Sequence, residues 1–356
     1  MLLSVLTSFV LALIIGPRVI ANLKQRQIGQ TIREEGVQEH KKKAGVPTMG
    51  GLIFLVPMVI TILTYASLNA YVGLALLLGL GMGLLGMMDD LTKVIKARSL
   101  GLTPRQKLAG QIVLGLVAAL VLRYLPGLRQ ELPLPASASG GNLLLPPSFI
   151  QVPIWGVVDV GLLYLPFVTF VVVAFTNAVN LTDGLDGLAA GTVGVSVLPF
   201  LVIAWVTGHL VFARHLGVAF VPGASELAIV CASLFGGCLG FLWFNAHPAE
   251  VFMGDTGSMA LGGTVAALAI GTRTELFSVV IGGLFVIEAL SVILQVSYFK
   301  WTHGQRIFRM SPIHHHFELT GWPEEKVVIR FWIINLMLAL TGLALFASRL
   351  FSGPQG

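Results

Sequence analysis

Asn177 to Gly187 reads NAVNLTDGLDG, placing two carboxamides and two carboxylates at three-residue spacing at the end of a long apolar run. Asn177, Asn180, Asp183 and Asp186 would share one face of a helical turn, but Gly184 and Gly187 work against a long helix there. The stretch therefore reads as a membrane span that ends in a polar, glycine-hinged turn at the membrane surface. A lone pattern of this kind also suits simple helix capping by Asn and Asp. Three further polar clusters weigh against that: Asp89-Asp90, Phe252 to Asp255 (FMGD), and His314-His315-His316.

Working outward, the 356-residue chain is 55% hydrophobic and 11% charged, which excludes a soluble globular protein. Uninterrupted apolar runs favour helices over a barrel, whose strands would alternate. The fold class expected is an all-α, polytopic integral membrane protein of ten transmembrane helices forming a single domain. The runs lie at about Leu2 to Ile15, Gly51 to Ala66, Tyr71 to Met88, Leu108 to Leu125, Gly161 to Val179, Leu188 to Val206, Glu226 to Phe244, Met259 to Ile270, Leu276 to Phe299 and Phe331 to Leu350.

The first run has no basic residue before it and no cleavage pattern after it, so it reads as a retained span with its N-terminus outside. Sixteen of the 22 Lys and Arg then fall in three inner loops, around 24–43, 93–107 and 300–330, and both termini lie outside. The segments 23–49, 89–107, 177–187, 245–258 and 300–330 all face the cytoplasm. Pro126 to Pro153, rich in Pro, Ser and Gly, reads as an irregular outer loop. The net charge of +5 sits beside the spans and does not point to nucleic acid. Cys231 and Cys238 lie inside one apolar run and read as small core residues.

Adjacent Asp89 and Asp90 at the inner end of a span need a cation or strong hydrogen bonds to stay ionised together. A magnesium ion beside a phosphorylated ligand would supply that; pairing with Lys93 one turn on is the plainer account. In FMGD, an aromatic, a glycine allowing close backbone approach and a carboxylate suit stacking on a base while a metal is held near its phosphates. Lys43 and Lys93 add phosphate-neutralising charge, or serve only as topology determinants. Three adjacent histidines could bind a transition metal, but they point in divergent directions with no Cys or second His pair nearby, and the preferred reading is donors to an anionic ligand, or one acid/base among them. Glu288, deep in the ninth run, reads as a neutral or paired structural residue, and Gln295 as a candidate ligand contact.

HKKKAGVPTMGG (His40 to Gly51), GMMDDLTKV (Gly86 to Val94), NAVNLTDGLDGLA (Asn177 to Ala189), FNAHPAEVFMGDTGS (Phe244 to Ser258) and PIHHHFE (Pro312 to Glu318) together resemble the phospho-N-acetylmuramoyl-pentapeptide-transferase family. That family belongs to the polyprenyl-phosphate N-acetylhexosamine-1-phosphate transferase superfamily. The resemblance implies transfer of phospho-MurNAc-pentapeptide from UDP-MurNAc-pentapeptide to undecaprenyl phosphate, giving lipid I and UMP, with magnesium (Mg2+) as cofactor. It also implies a homodimer in the lipid bilayer of a bacterial inner membrane. Carried onto matching positions, it makes Asp89, Asp90, Asp183, Asp255 and His314 catalytic, with Asp255 and Asp183 on the metal. Asp89 would be the base toward the lipid phosphate. Lys43, Thr48, Lys93, Asn180, Asp186, Asn245, Phe252, Gly254, Gln295, His315 and His316 would contact substrate.

Two other classes are weighed. A secondary transporter shares intramembrane carboxylates and glycine-broken helices, but its polar groups belong near the midplane. A sister transferase using UDP-N-acetylglucosamine shares the aspartate motifs, while PIHHHFE and KKKAGVPTMGG favour the muramoyl enzyme.

Overall fold

The computed structural model describes residues 1–26, 45–96, 101–125, 130–133, 142–153 and 156–348. Most of the predicted loop 23–49, with Lys43, lies outside them. The helices are α1 Leu2–Gln25, α2 Leu52–Tyr65, α3 Ala70–Ile95, α4 Pro104–Tyr124, α5 Tyr164–Thr182, α6 Leu188–Thr207, α7 Leu210–His215, α8 Leu227–Asn245, α9 Gly254–Gly271, α10 Glu275–Ile281, α11 Gly283–Trp301, α12 Ile313–Glu318 and α13 Glu324–Ser348. Each predicted apolar run is helical, and the protein is a multi-pass helical membrane protein.

Eight helical segments among the described residues are long and apolar enough to cross a bilayer: those at α1, α3, α4, α5, α6, α8, α11 and α13. The other two runs behave differently. Helix α2 has only 14 residues, and α9 is buried almost throughout. In lipid the hydrophobic effect does not drive helices together, so close packing decides the arrangement. Helix α9 supplies it with glycines: a Cβ at Gly262 would come within 2.6 Å of Thr176 Cα, and one at Gly263 within 2.6 Å of the Leu78 carbonyl. Helices α3 and α5 thereby pack backbone-close on α9, with α2 alongside. Outward faces carry exposed apolar side chains such as Phe170 and Trp243, as lipid contact requires.

Two expectations are corrected. The ninth run is not one helix but α10 and α11, broken at Gly282-Gly283, where paired glycines cost helix most. The segment 126–153, expected to be an irregular outer loop, is regular in much of its described part. It and the residues up to 159 hold two antiparallel hairpins, β1 Gln130–Pro133 with β2 Asn142–Leu145 and β3 Phe149–Val152 with β4 Gly156–Asp159, and Glu131 bridges to Phe220. Ladder bonds satisfy backbone groups that a nearly charge-free segment cannot satisfy with side chains.

Helix α4 starts at a capping box. Gln106 N–H donates to Thr103 Oγ1 (3.3 Å), and Thr103 N–H donates to Gln106 Oε1 (3.0 Å). This fixes where Lys107 emerges, one turn into the helix. Thr103→Ala is expected to cost about 1 kcal/mol, read as a lower melting temperature in detergent that Thr103→Ser restores.

Candidate active site

The C-terminal ends of α3 and α5 and the N-terminal ends of α4 and α9 meet at one end of the bundle. Asp90 is the N-terminal anchor of α9 although it belongs to α3. Its Oδ2 accepts from Thr256 N–H (2.8 Å) and Thr256 Oγ1 (2.7 Å), and its Oδ1 accepts from Asp255 N–H (3.2 Å). A carboxylate there satisfies orphan amides and the helix dipole together. Gly254 makes the approach possible, with φ of +71° and Asp90, Thr48 and the Met49 amide packed where a side chain would stand.

Beside it, Asp89 Oδ1 accepts from Leu102 N–H (2.9 Å). Lys93 Nζ lies 2.7 Å from Asp89, 3.0 Å from Asp255 and 3.5 Å from Asp90. Lys107 Nζ is 2.8 Å from Asp255. Asn180 donates from Nδ2 to Asp255 Oδ1 (2.8 Å) and to Ser258 Oγ (2.8 Å). Three carboxylates thus face two ammonium groups, one formal negative charge in excess. That balance is what lets three acids stand together, since unpaired they would repel.

Two groups among the described residues bring possible metal-ligand atoms within 4.8 Å of one another. One is Asp89, Asp90 and Asp255, an oxygen-only set that suits a hard cation such as magnesium. The other is Asp186, His247 and Glu324. There Asp186 Oδ2 already accepts from Ala249 N–H (3.1 Å) and lies 3.1 Å from His247 Nδ1, and Glu324 Oε1 accepts from Asp186 N–H (2.8 Å). The Asp186 carboxylate ties the 183–187 turn to the His247–Ala249 loop, and that of Glu324 ties the turn to α13. Asp183 stands outside both groups. Surrounding protein, then the charges of Asp255, Asp90 and Asp186, hold its carboxyl well above the usual carboxylate range.

The FMGD segment is pinned to the entry of α2. Phe252 N–H donates to the Pro47 carbonyl (2.8 Å), Gly50 N–H to the Phe252 carbonyl (2.8 Å) and Gly51 N–H to the Met253 carbonyl (3.0 Å). Thr48 is buried at this junction, and Phe252 is half-buried. Asn245 is spent internally: its Oδ1 accepts from Gly187 N–H (3.0 Å) and its Nδ2 donates to the Val251 carbonyl (2.9 Å). It therefore shapes the loops on both sides of it.

The histidines diverge as their adjacency predicts. His314 is fully buried with Nδ1 3.0 Å from Glu288 Oε2, so Glu288 is the paired residue expected. His315 Nδ1 meets Glu318 (2.6 Å), and His316 Nδ1 accepts from Arg309 N–H (3.1 Å). Gln295 Oε1 accepts from Ile307 and Phe308 N–H (3.1 and 2.9 Å), holding the 300–312 loop rather than presenting that oxygen to a ligand.

Sequence reasoning gave Lys107 no role beyond topology, yet it reaches both Asp255 and Asn180. The signal was there in its place, one turn after the Thr-Pro-x-Gln helix start. Gln111, one turn further, pairs reciprocally with Asn177 (2.7 and 3.3 Å), so the α4 stripe Lys107-Gln111 matches the α5 stripe Asn180-Asn177.

Residues 70–273 match the model of Glycosyl transferase family 4. The chain is 47% identical over 343 residues to a phospho-N-acetylmuramoyl-pentapeptide-transferase of Thermodesulfovibrio yellowstonii, covering 96% of this chain and 91% of that protein. It is 48% identical over 342 residues to that of Solidesulfovibrio magneticus (96% and 91%) and 45% identical over 347 residues to that of a Geobacter species (97% and 92%). With its acidic centre, its helical membrane fold and identity of this extent along nearly the whole chain, the protein belongs to the phospho-N-acetylmuramoyl-pentapeptide-transferase family.

Proposed function

We propose that the junction of α3, α4, α5 and α9 is where phospho-MurNAc-pentapeptide passes from UDP-MurNAc-pentapeptide to undecaprenyl phosphate, yielding lipid I and UMP. The observation that carries this reading is the convergence of Asp89, Asp90 and Asp255 with Lys93 and Lys107 at the membrane-surface end of a bundle whose outer faces are apolar. Such a place lets a polyprenyl chain stay in lipid while its phosphate meets a water-soluble nucleotide.

An oxygen of the lipid phosphate attacks the phosphorus that bears the sugar. The bond from that phosphorus to the bridging oxygen breaks, and UMP leaves with the electron pair. The transfer asks the protein for alignment and charge neutralisation more than covalent chemistry. Lys93 and Lys107 supply cations to the anionic reactants. Asp89, held by Leu102 N–H, takes the proton of a protonated lipid phosphate. Asp255, with Asp89 and Asp90 beside it, would hold magnesium, which supplies Lewis-acid neutralisation of the diphosphate when bound. The nucleotide lies toward Phe252, and His314 to His316 toward the sugar diphosphate.

The same reading places this end in the cytoplasm, with ten spans and both termini outside, on the asymmetry of Lys and Arg. Single cysteines introduced at Ser139 and Ser311 are then expected to react with an impermeant reagent from opposite faces; reaction of both from outside would sink this topology.

The nucleotide half is tested at Phe252. Phe252→Ala is expected to weaken UDP-sugar binding by about 1–3 kcal/mol, the range for base stacking on an aromatic ring, and Phe252→Trp to be tolerated far better. Calorimetry and melting in one detergent decide it. Unchanged affinity with a lower melting temperature would make the ring a packing residue.

A further inference from the structure

Helix α4 faces the bundle along a stripe spaced by helical turns: Lys107, Gln111, Gly115, Ala118, Ala119 and Leu122. Its other faces carry exposed apolar side chains, among them Ile112, Val113, Leu116 and Leu120. Gly115 brings α4 close to α5, where a Cβ would stand 3.2 Å from Thr169 Cα. Beyond the first two, the stripe residues carry no polar side-chain atom, so any directional contact falls to Lys107 and Gln111.

Gln111 is buried, and its amide is matched by that of Asn177 on α5. Asn177 Nδ2 donates to Gln111 Oε1 (2.7 Å), and Gln111 Nε2 donates to Asn177 Oδ1 (3.3 Å). Asn177 Nδ2 also donates to the Val173 carbonyl (2.8 Å), which ties its side chain to its own helix. One turn along, Lys107 Nζ meets Asn180 Oδ1 (3.4 Å) and Asp255 Oδ2 (2.8 Å). An amide rung within the bundle therefore stands behind a lysine rung at the reaction centre.

Hydrogen bonds between helices in a bilayer add little stability, so holding α4 in place is not what the amides do best. They set register. A buried amide that loses its partner keeps the full penalty of its desolvation, and a slip of one residue moves a helix by about 1.5 Å, enough to break both bonds. Among the described residues the lipid side of this seam offers no substitute. The groove there is lined mainly by Leu108, Ile112, Leu116, Leu165, Phe170 and Val173, and Thr169 Oγ1 already donates to the Leu165 carbonyl (2.9 Å). Helix α5 is itself fixed at the centre, since Asn180 donates to Asp255 and Ser258. The register of α4 on α5 is thus the register of Lys107 on Asp255.

We propose that Gln111 and Asn177 are positioning residues for the transfer, whose amide pair fixes α4 on α5 and so holds the Lys107 ammonium at Asp255 to meet the charge of the diphosphate. This rests on the reading that Lys107 serves the anionic reactants. Both amides act through the lysine, because their polar atoms are engaged with each other and with Val173.

The test measures kcat and melting temperature on one set of variants in one detergent. Lys107→Ala is expected to lower kcat by about 10²-fold, the usual loss for one preorganised electrostatic group. Gln111→Leu is expected to lower kcat by about tenfold, since misplacing a group by an ångström costs up to about 10²-fold, and to lower the melting temperature by stranding Asn177. Combined with Lys107→Ala it should add less than about twofold, as groups acting as one unit behave. Gln111→Leu with Asn177→Leu is the discriminating variant. No amide is left unpaired, so the melting temperature should return to wild type or above, while kcat stays as low as in Gln111→Leu. This pair also carries the test if Gln111→Leu alone fails to fold. The exchange Gln111→Asn with Asn177→Gln keeps both amides and their combined length, and should bring kcat to within about threefold of wild type.

Recovery of kcat together with melting temperature in the Leu pair would reduce the amides to packing and overturn the proposal. Multiplying losses in Gln111→Leu with Lys107→Ala, or an exchange variant as slow as Gln111→Leu, would overturn it too. Wild-type kcat in Gln111→Leu would overturn the link and leave the lysine's role intact. Wild-type kcat in Lys107→Ala would overturn that role and the proposal together.

Discussion

Asp255→Asn is expected to lower turnover on the order of 10³-fold, about 4 kcal/mol in the activation barrier. In the native site this carboxylate accepts from Lys93, Lys107 and Asn180 at 2.8–3.0 Å. An amide in its place turns one acceptor into a donor facing donors, so the two ammonium groups lose their common anchor. The same change removes the proposed metal's principal oxygen ligand, and the dependence of rate on magnesium concentration should shift upward or vanish. UMP affinity should change far less than turnover, because the proposed base site is at Phe252 rather than at Asp255. Turnover above about a tenth of wild type, at saturating magnesium and substrates, would remove Asp255 from the centre.

Gly254→Ala, a change of one methyl group, is expected to be nearly as harmful. The residue holds φ at +71°, and a Cβ there meets Asp90 Oδ2 and Thr48 Oγ1 at 2.7 Å and the Met49 amide nitrogen at 2.9 Å. The left-handed conformation alone costs about 1–2 kcal/mol for a residue with a Cβ, and the contacts add to it. Relief requires Asp90 to withdraw from the start of α9, leaving Thr256 N–H without its carboxylate. Turnover should fall by about 10² or more, as for loss of a preorganised group, with a lower melting temperature. Wild-type values of both would show that the α3–α9 junction is looser than its hydrogen bonds indicate.

Much of the fold was legible because a membrane span writes itself as a long apolar run, and every predicted run is helical, the ninth as two helices. The departures arise where local chemistry outweighs composition: paired glycines split α10 from α11, and the charge-poor segment between α4 and α5 forms antiparallel strand pairs. The site was legible in its types more than in its grouping. Asn177, Asn180, Asp183 and Asp186 suggest one helix face, but α5 ends at Thr182 with Asp183 as its cap residue, φ −80° and ψ 52°. Asn180 therefore reaches Asp255, while Asp186 turns away to His247 and Ala249. Asp255 lies 165 residues beyond Asp90 in sequence, and only the packing of α3 on α9 brings it to Asp89 and Asp90. Lys107 was hidden by being one basic residue among several between 93 and 107. Asn245 spends both atoms of its amide on backbone, and Gln295 its amide oxygen, a use that a sequence pattern does not distinguish from binding.

The most direct measurement offers purified protein in detergent with undecaprenyl phosphate one UDP-sugar at a time, UDP-MurNAc-pentapeptide or UDP-N-acetylglucosamine, and follows lipid-linked sugar and released nucleotide together. The expected result is a lipid-linked muramoyl product with one UMP released for each, dependent on magnesium, and no product from UDP-N-acetylglucosamine. Release of UDP instead of UMP, or a lipid product from UDP-N-acetylglucosamine alone, would contradict it.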